Sequence, residues 1–168
     1  MEITTQMIKE LREQCGAGIM DCRGALVSTN GDVEKALAIL KEKGLIKAQS
    51  KSERTTTQGL VEAYIHTAGR IGALVEVNCE TDFVARTEDF KCLAHDIAMQ
   101  VAALAPIYIS EEEIPNDAEV DPVESCLLSQ PFIKDPAKTI KDIIVETIAK
   151  TGENINICRF IRYELGSR

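Results

Sequence analysis

The spacing of apolar residues changes from about 3.6 residues to two near position 59. The chain is thereby limited to folds that combine helices with a small sheet. Leu60–Thr67 and Ile71–Cys79 alternate, and they flank Ala68-Gly69-Arg70, a three-residue loop with glycine at its centre, as in a hairpin. In the second run Ile71, Ala73, Val75, Val77 and Cys79 share one face, while Leu74, Glu76, Asn78 and Glu80 share the other. Two strands alone are marginal in water. The alternating run within 154–165, with Ile155, Ile157, Phe160, Ile161 and Tyr163, is therefore predicted to pair with them in a three-stranded antiparallel sheet.

Helical spacing surrounds this sheet. Residues 1 to about 45 predict three short helices, the first capped by Thr4 or Thr5 and burying Ile8 and Leu11. Gly16-Ala17-Gly18 ends that helix. A second runs from about Ile19 to Thr29, with Met20, Leu26 and Val27 as apolar candidates. The third starts at the Asp32 cap, carries Val33, Ala36, Leu37 and Leu40 on one stripe, and is predicted to stop at Gly44 as its C-cap. Residues 48–58 hold no aliphatic side chain larger than alanine and are predicted to form a linker. Thr87 caps a helix whose stripe is Phe90, Leu93, Ala94, Ile97, Ala98, Val101 and Leu104, predicted to lie on the apolar face of the hairpin. Residues 110–136 are acidic and broken by four prolines, with a short helix expected around 123–128. Lys138–Lys150 is helical again. The expected class is α+β, with a three-helix unit at 1–47, a linker at 48–58, and a core at 59–168 whose sheet is covered by helices.

A net charge of -8 excludes an extended basic footprint for nucleic acid or an anionic membrane. Six basic residues against three glutamates between Glu34 and Arg54 form a solvated helix face and linker. Six cysteines lie far apart without a Cys-x-x-Cys pair, and only His66 and His95 are present, so no zinc spacing occurs. No signal-like or membrane-spanning apolar run is found, so reduced thiols and a cytoplasmic location are expected.

Chemistry of a covalent kind finds little support. A nucleophilic site needs a thiol or hydroxyl beside a base. Cys79 and His66, on adjacent strands, are the only such pairing the spacing allows, and the alternation puts them on opposite faces. Neither a phosphate-binding loop nor a dinucleotide glycine fingerprint is present, so no cofactor is expected. The chain reads as a non-enzyme. Asp82 and Phe83, at the turn between strand and helix, remain as a candidate projection in a chain with four Phe and no Trp. Packing into the local core is the other reading of Phe83.

Three groups of residues resemble a known family. The N-terminus carries Ile8-Lys9-Glu10-Leu11-Arg12, Gly16-Ala17-Gly18-Ile19-Met20-Asp21-Cys22 and Asn30-Gly31-Asp32. The centre carries Glu76-Val77-Asn78-Cys79-Glu80-Thr81-Asp82-Phe83-Val84-Ala85-Arg86. The end carries Gln130-Pro131-Phe132-Ile133-Lys134-Asp135 and Gly152-Glu153-Asn154-Ile155. In this order they resemble elongation factor Ts, the family that promotes guanine-nucleotide release from elongation factor Tu. The resemblance implies that residues 1–47 are of the ubiquitin-associated type and dock on the partner's nucleotide-binding domain, with Arg12, Ile19 and Met20 at the contact. It implies that Thr81, Asp82, Phe83 and Val84 intrude beside the partner's magnesium and phosphates. No metal or cofactor of the chain's own is implied.

Ile19 stands where Met is usual, which keeps the contact apolar. Thr87 stands where Asn is usual and caps a helix equally well. Family members often carry a long helical insertion where this chain has only Pro115–Cys126. A core this short is expected to present little surface, so a homodimer, or a two-to-two assembly with elongation factor Tu, is expected. An adaptor that binds a partner through the three-helix unit without exchange is the competing expectation.

Overall fold

A computed structural model describes residues 3–167. They form a mixed helix-and-sheet fold that divides into two compact units, one of residues up to Arg54 with Val145–Asn154, the other of Thr55–Ile144 with the segment from Ile155 onward.

The first unit holds α1 (Thr5–Cys15), α2 (Ile19–Ser28) and α3 (Val33–Gln49). Thr4 caps α1 by accepting from the Met7 amide, and Asp32 caps α3 by accepting from Lys35. Gly16, at φ 65°, closes α1 in the left-handed conformation, and its N–H donates to the Arg12 carbonyl at 2.7 Å. The core is Leu11, Cys22, Ala25, Leu26, Ala36 and Leu40.

Two expectations for this unit are corrected, those for Gly44 and for the apolar positions of α2. Gly44 is not a C-cap; α3 runs through it to Gln49 and ends at Ser50. Gly44 is buried in ordinary helical geometry, and the Val145 side chain of α7 (Ile140–Thr151) lies 3.7 Å from where its Cβ would be. A glycine that serves packing leaves the same letter in the sequence as one that serves a turn. In α2 the inward positions belong to Cys22, Ala25 and Leu26, so Met20 and Val27 are exposed. Residues 50–54 are tied down, since Asn154 Nδ2 donates to the Ser52 and Arg54 carbonyls and Lys51 Nζ donates to Gly152 O at 2.6 Å. Backbone carbonyls made these bonds, and composition does not report on carbonyls.

The second unit holds the predicted sheet, ordered β1 (Gln58–Ile65), β2 (Ile71–Cys79) and β5 (Ile155–Glu164), antiparallel throughout. Gly59, at φ 154°, passes so close to β2 that a Cβ there would meet the Val77 carbonyl. The hairpin loop is longer than expected. β1 stops at Ile65, the His66 amide donates to Ile71 O at 2.8 Å, and Ala68 and Gly69 both take positive φ. α5 (Glu88–Leu104) covers one face of the sheet through Phe90, Leu93, Ala94, Ile97, Ala98 and Val101. Leu104 is exposed instead, and Gln100 is buried in its stripe. The acidic region contains α6 (Pro122–Ser125), and beyond it β3 (Pro131–Phe132) and β4 (Asp135–Thr139) make a small hairpin that alternation did not reveal. On the other face Val61, Ile65, Leu74, Ile161 and Tyr163 are exposed. Among the described residues no helix is long and apolar enough to cross a membrane.

Candidate functional site

Phe83 lies in α4 (Asp82–Ala85), a single helical turn between β2 and α5. The turn is fixed at both ends by threonines. Thr81 Oγ1 accepts from the Val84 amide at 3.4 Å, while Thr87 Oγ1 donates to the Val84 carbonyl at 2.8 Å and accepts from the Phe90 amide. Upstream, the buried Cys79 thiol donates to Thr81 O at 3.1 Å. Successive side chains on a helix point about 100° apart, so one turn cannot bury all four residues. Val84 and Ala85 take the inward side. Phe83 is left 80% exposed.

An aromatic ring this exposed forfeits about 1.5–3 kcal/mol of burial. Its mounting is nevertheless rigid, because the residue after it is a core residue and the caps share hydrogen bonds with it. Asp82 is half-exposed, and its carboxylate pairs with Arg86 Nη2 at 2.8 Å, one helical turn on. Sequence reading passed over Arg86, although the i,i+4 spacing was visible. The pair is solvent-exposed and worth little to stability, but it holds the carboxylate beside the ring. Of the four residues singled out here, Thr81 caps, Asp82 and Phe83 project, and Val84 anchors from inside.

The other predicted residues lie in the first unit. Arg12 is exposed in the last turn of α1, and Ile19 and Met20 open α2 at 57% and 73% exposed. The turn Gly16-Ala17-Gly18 joins these two helix ends. Asp21, next in α2, pairs with Lys47 of α3 at 2.9 Å and so fixes the start of α2 against α3. Ile19 and Met20 are thus consecutive exposed apolar residues at the start of α2, and Arg12 is exposed in the turn of α1 that precedes the loop.

The thiol–base pairing considered from sequence is excluded by register. Cys79 pairs with Gln58, whereas His66 follows the Ile65↔Gly72 pair at the other end of the hairpin. Seven or eight strand residues, on the order of 25 Å, separate them. His66 bonds Tyr64 Oη through Nδ1 at 3.1 Å, and His95 meets Glu62 Oε1 at 3.1 Å. Among the described residues no group of three or more His, Cys, Asp and Glu side chains is arranged to hold a metal ion.

Comparison with known proteins shows the family. A family model described as Elongation factor TS matches residues 25–121, more than half of the chain. The chain belongs to the elongation factor Ts family. It is 52% identical to an elongation factor Ts of Carboxydothermus hydrogenoformans over 98% of its own length and 89% of the relative's. It is 49% identical to that of Heliobacterium modesticaldum over 98% and 90%. With that of Coprothermobacter proteolyticus the identity is 46% over 99% and 100%. The first two alignments span 194 positions against a chain of 168 residues, so these elongation factor Ts proteins carry residues with no counterpart here.

Proposed function

We propose that this protein is a guanine-nucleotide exchange factor for elongation factor Tu and acts without covalent chemistry. The first unit docks on the partner's nucleotide-binding domain through Arg12, Ile19 and Met20. The turn Thr81–Val84 then works as a wedge beside the partner's magnesium and phosphates. GDP on such a GTPase is held chiefly through magnesium and backbone donors around its phosphates. Phe83 pressed between the partner's helices, with Asp82 beside it, shifts those groups and weakens both magnesium and nucleotide. By thermodynamic reciprocity, nucleotide weakens the exchange factor's binding by the same factor. The overall GDP/GTP equilibrium is unchanged; only its rate of attainment rises.

The observation that carries this reading is the exposed Phe83 ring on a capped, core-anchored turn. A mobile aromatic would fold back onto the surface; a mounted one can displace another protein's side chains. Stopped-flow release of a fluorescent GDP analogue from elongation factor Tu tests it. Adding this protein is expected to raise the release rate by orders of magnitude. Binding without acceleration would leave an adaptor and overturn the exchange reading.

The exposed apolar face of the sheet supports a second copy as a further partner. Val61 and Ile65 of β1, Leu74 of β2 and Ile161 and Tyr163 of β5 are all exposed, and Leu74 stands opposite both Ala63 and Ile161. Antiparallel sheets normally keep a polar outer face, and an apolar patch of this kind marks an interaction surface. Face-to-face packing of two such sheets about 10 Å apart would bury it. Leu74→Asp, at the centre of the patch, is expected to convert a dimer to a monomer in sedimentation equilibrium. A wild-type chain already monomeric at high micromolar concentration would remove this part of the proposal.

A further inference from the structure

The fold brings two of the six cysteines together. Cys15 is the last residue of α1 and Cys22 lies in the second turn of α2, yet their sulfurs are 3.9 Å apart because the left-handed Gly16 turns the chain back. Read along the sequence they are merely seven residues apart with a glycine turn between them. Cys22 is fully buried among Leu11, Ala25 and Leu26, and Cys15 lies partly exposed over that core. Among the described residues the Cys22 sulfur makes one further polar contact, a long one of 3.7 Å to the Ala17 carbonyl. Such a bond does not hold the thiol against rotation toward its neighbour.

We propose that Cys15 and Cys22 form a dithiol modification site, which a hydroperoxide converts to an intramolecular disulfide. The Cys15 sulfur, being the accessible one, attacks the hydroperoxide as thiolate. The O–O bond breaks, water or an alcohol leaves, and Cys15 becomes a sulfenic acid. The Cys22 sulfur then attacks the Cys15 sulfur, and the S–O bond breaks with release of water as the S–S bond forms. Two thiols have lost two electrons and two protons, and one hydroperoxide has been reduced. Closing from 3.9 Å to a bond of about 2.05 Å requires side-chain rotation at Cys15, which is partly exposed at the end of α1.

The order of events follows from the surroundings. Burial, with Cys15 next to it, pushes the Cys22 thiol up to about 11, so Cys22 stays protonated until the sulfenic acid is beside it. The crosslink would tie the last turn of α1 to the start of α2, the corner that carries Arg12, Ile19 and Met20. The site goes beyond the exchange reading and does not depend on it.

Peptide mapping of the folded full-length chain tests the proposal without any partner. The chain is treated with hydrogen peroxide, quenched, alkylated with iodoacetamide in denaturant and digested with trypsin. Both cysteines fall on the one peptide running from Glu13 to Arg23, after cleavage at Arg12 and Arg23. The expected product is that peptide two hydrogens lighter, with both alkylation adducts lost, and with both restored when dithiothreitol precedes alkylation. Cys15→Ser, a mild change at a helix end, should abolish the product and leave Cys22 alkylated; Cys22→Ala should instead leave Cys15 as an over-oxidised sulfinic or sulfonic acid. Retention of both adducts on the wild-type peptide, at a peroxide dose that oxidises the exposed Cys92 and Cys158, would overturn it. So would a crosslink from Cys15 to any other cysteine.

Discussion

Phe83→Ala is expected to slow the proposed GDP release from elongation factor Tu by about 100-fold, the scale of losing one aromatic hot spot of about 2–4 kcal/mol. The fold should not notice the change. The ring is 80% exposed and its backbone is held by the Thr81 and Thr87 caps, so the unfolding free energy should change by no more than about 0.5 kcal/mol. Val84→Ala makes the contrast. Its side chain lies inward, so truncation should cost about 1–3 kcal/mol of stability and loosen the turn that carries Phe83. The two variants separate wedge from mount: one loses rate at full stability, the other loses stability first. Stopped-flow release at saturating exchange factor, alongside urea unfolding of the same samples, reads both. A release rate for Phe83→Ala equal to wild type would mean the ring is not the wedge.

What the sequence revealed of this region, and what it hid, has a physical pattern. The α+β class, the antiparallel sheet and the long helix over it follow from periodicity, because burial on one face imposes a repeat on the letters. The caps Asp32 and Thr87 were equally legible, and the first was narrowed to Thr4 or Thr5, since few side chains can accept from a free amide at a helix start. Three kinds of feature left no such trace. Gly44 was ambiguous because the same residue serves a turn or a close approach of helices. The pairing of Cys15 with Cys22 depended on a left-handed turn whose reach no spacing rule encodes. Phe83 could be read as core or as projection until the backbone showed that Val84 and Ala85 had taken the inward side. Its candidacy came from position and from a family resemblance, whereas its exposure is a property of the folded turn alone.

Gln100 is the clearest case of a residue whose letter misleads, and it yields the second large effect. A glutamine between apolar neighbours on a surface helix reads as solvent-facing. Here it is completely buried. Its Nε2 donates to Gln130 Oε1 and to the Pro131 carbonyl, each at 3.1 Å, and its Oε1 accepts from the Ile133 amide at 3.0 Å. Gln130 Nε2 in turn donates to the Glu124 carbonyl at 2.7 Å. A two-residue strand such as β3 cannot sustain itself, and these bonds clamp it to α5.

Gln100→Met keeps the volume and removes every bond, leaving the Pro131 carbonyl, the Ile133 amide and Gln130 Oε1 without their partner. The Gln130 bond is buried and the other two are part-buried. A buried orphan costs about 1–3 kcal/mol. Because the three share one network and water can reach the Pro131 and Ile133 groups, the total should be about 2–4 kcal/mol. That is a large part of a typical domain's 5–15 kcal/mol. The urea midpoint should fall accordingly with little change in slope. Gln130→Met in the same background should cost much less than it does alone, because its partner is already gone; a coupling of about 0.5–3 kcal/mol is expected. Phe83 rides on β2 and the first turn of α5, far along the helix from Gln100. Below the lowered melting temperature, Gln100→Met should therefore still accelerate GDP release at close to the wild-type rate. A loss of under about 1 kcal/mol would show that water replaces the glutamine at these groups and that the clamp is not what holds β3 in place.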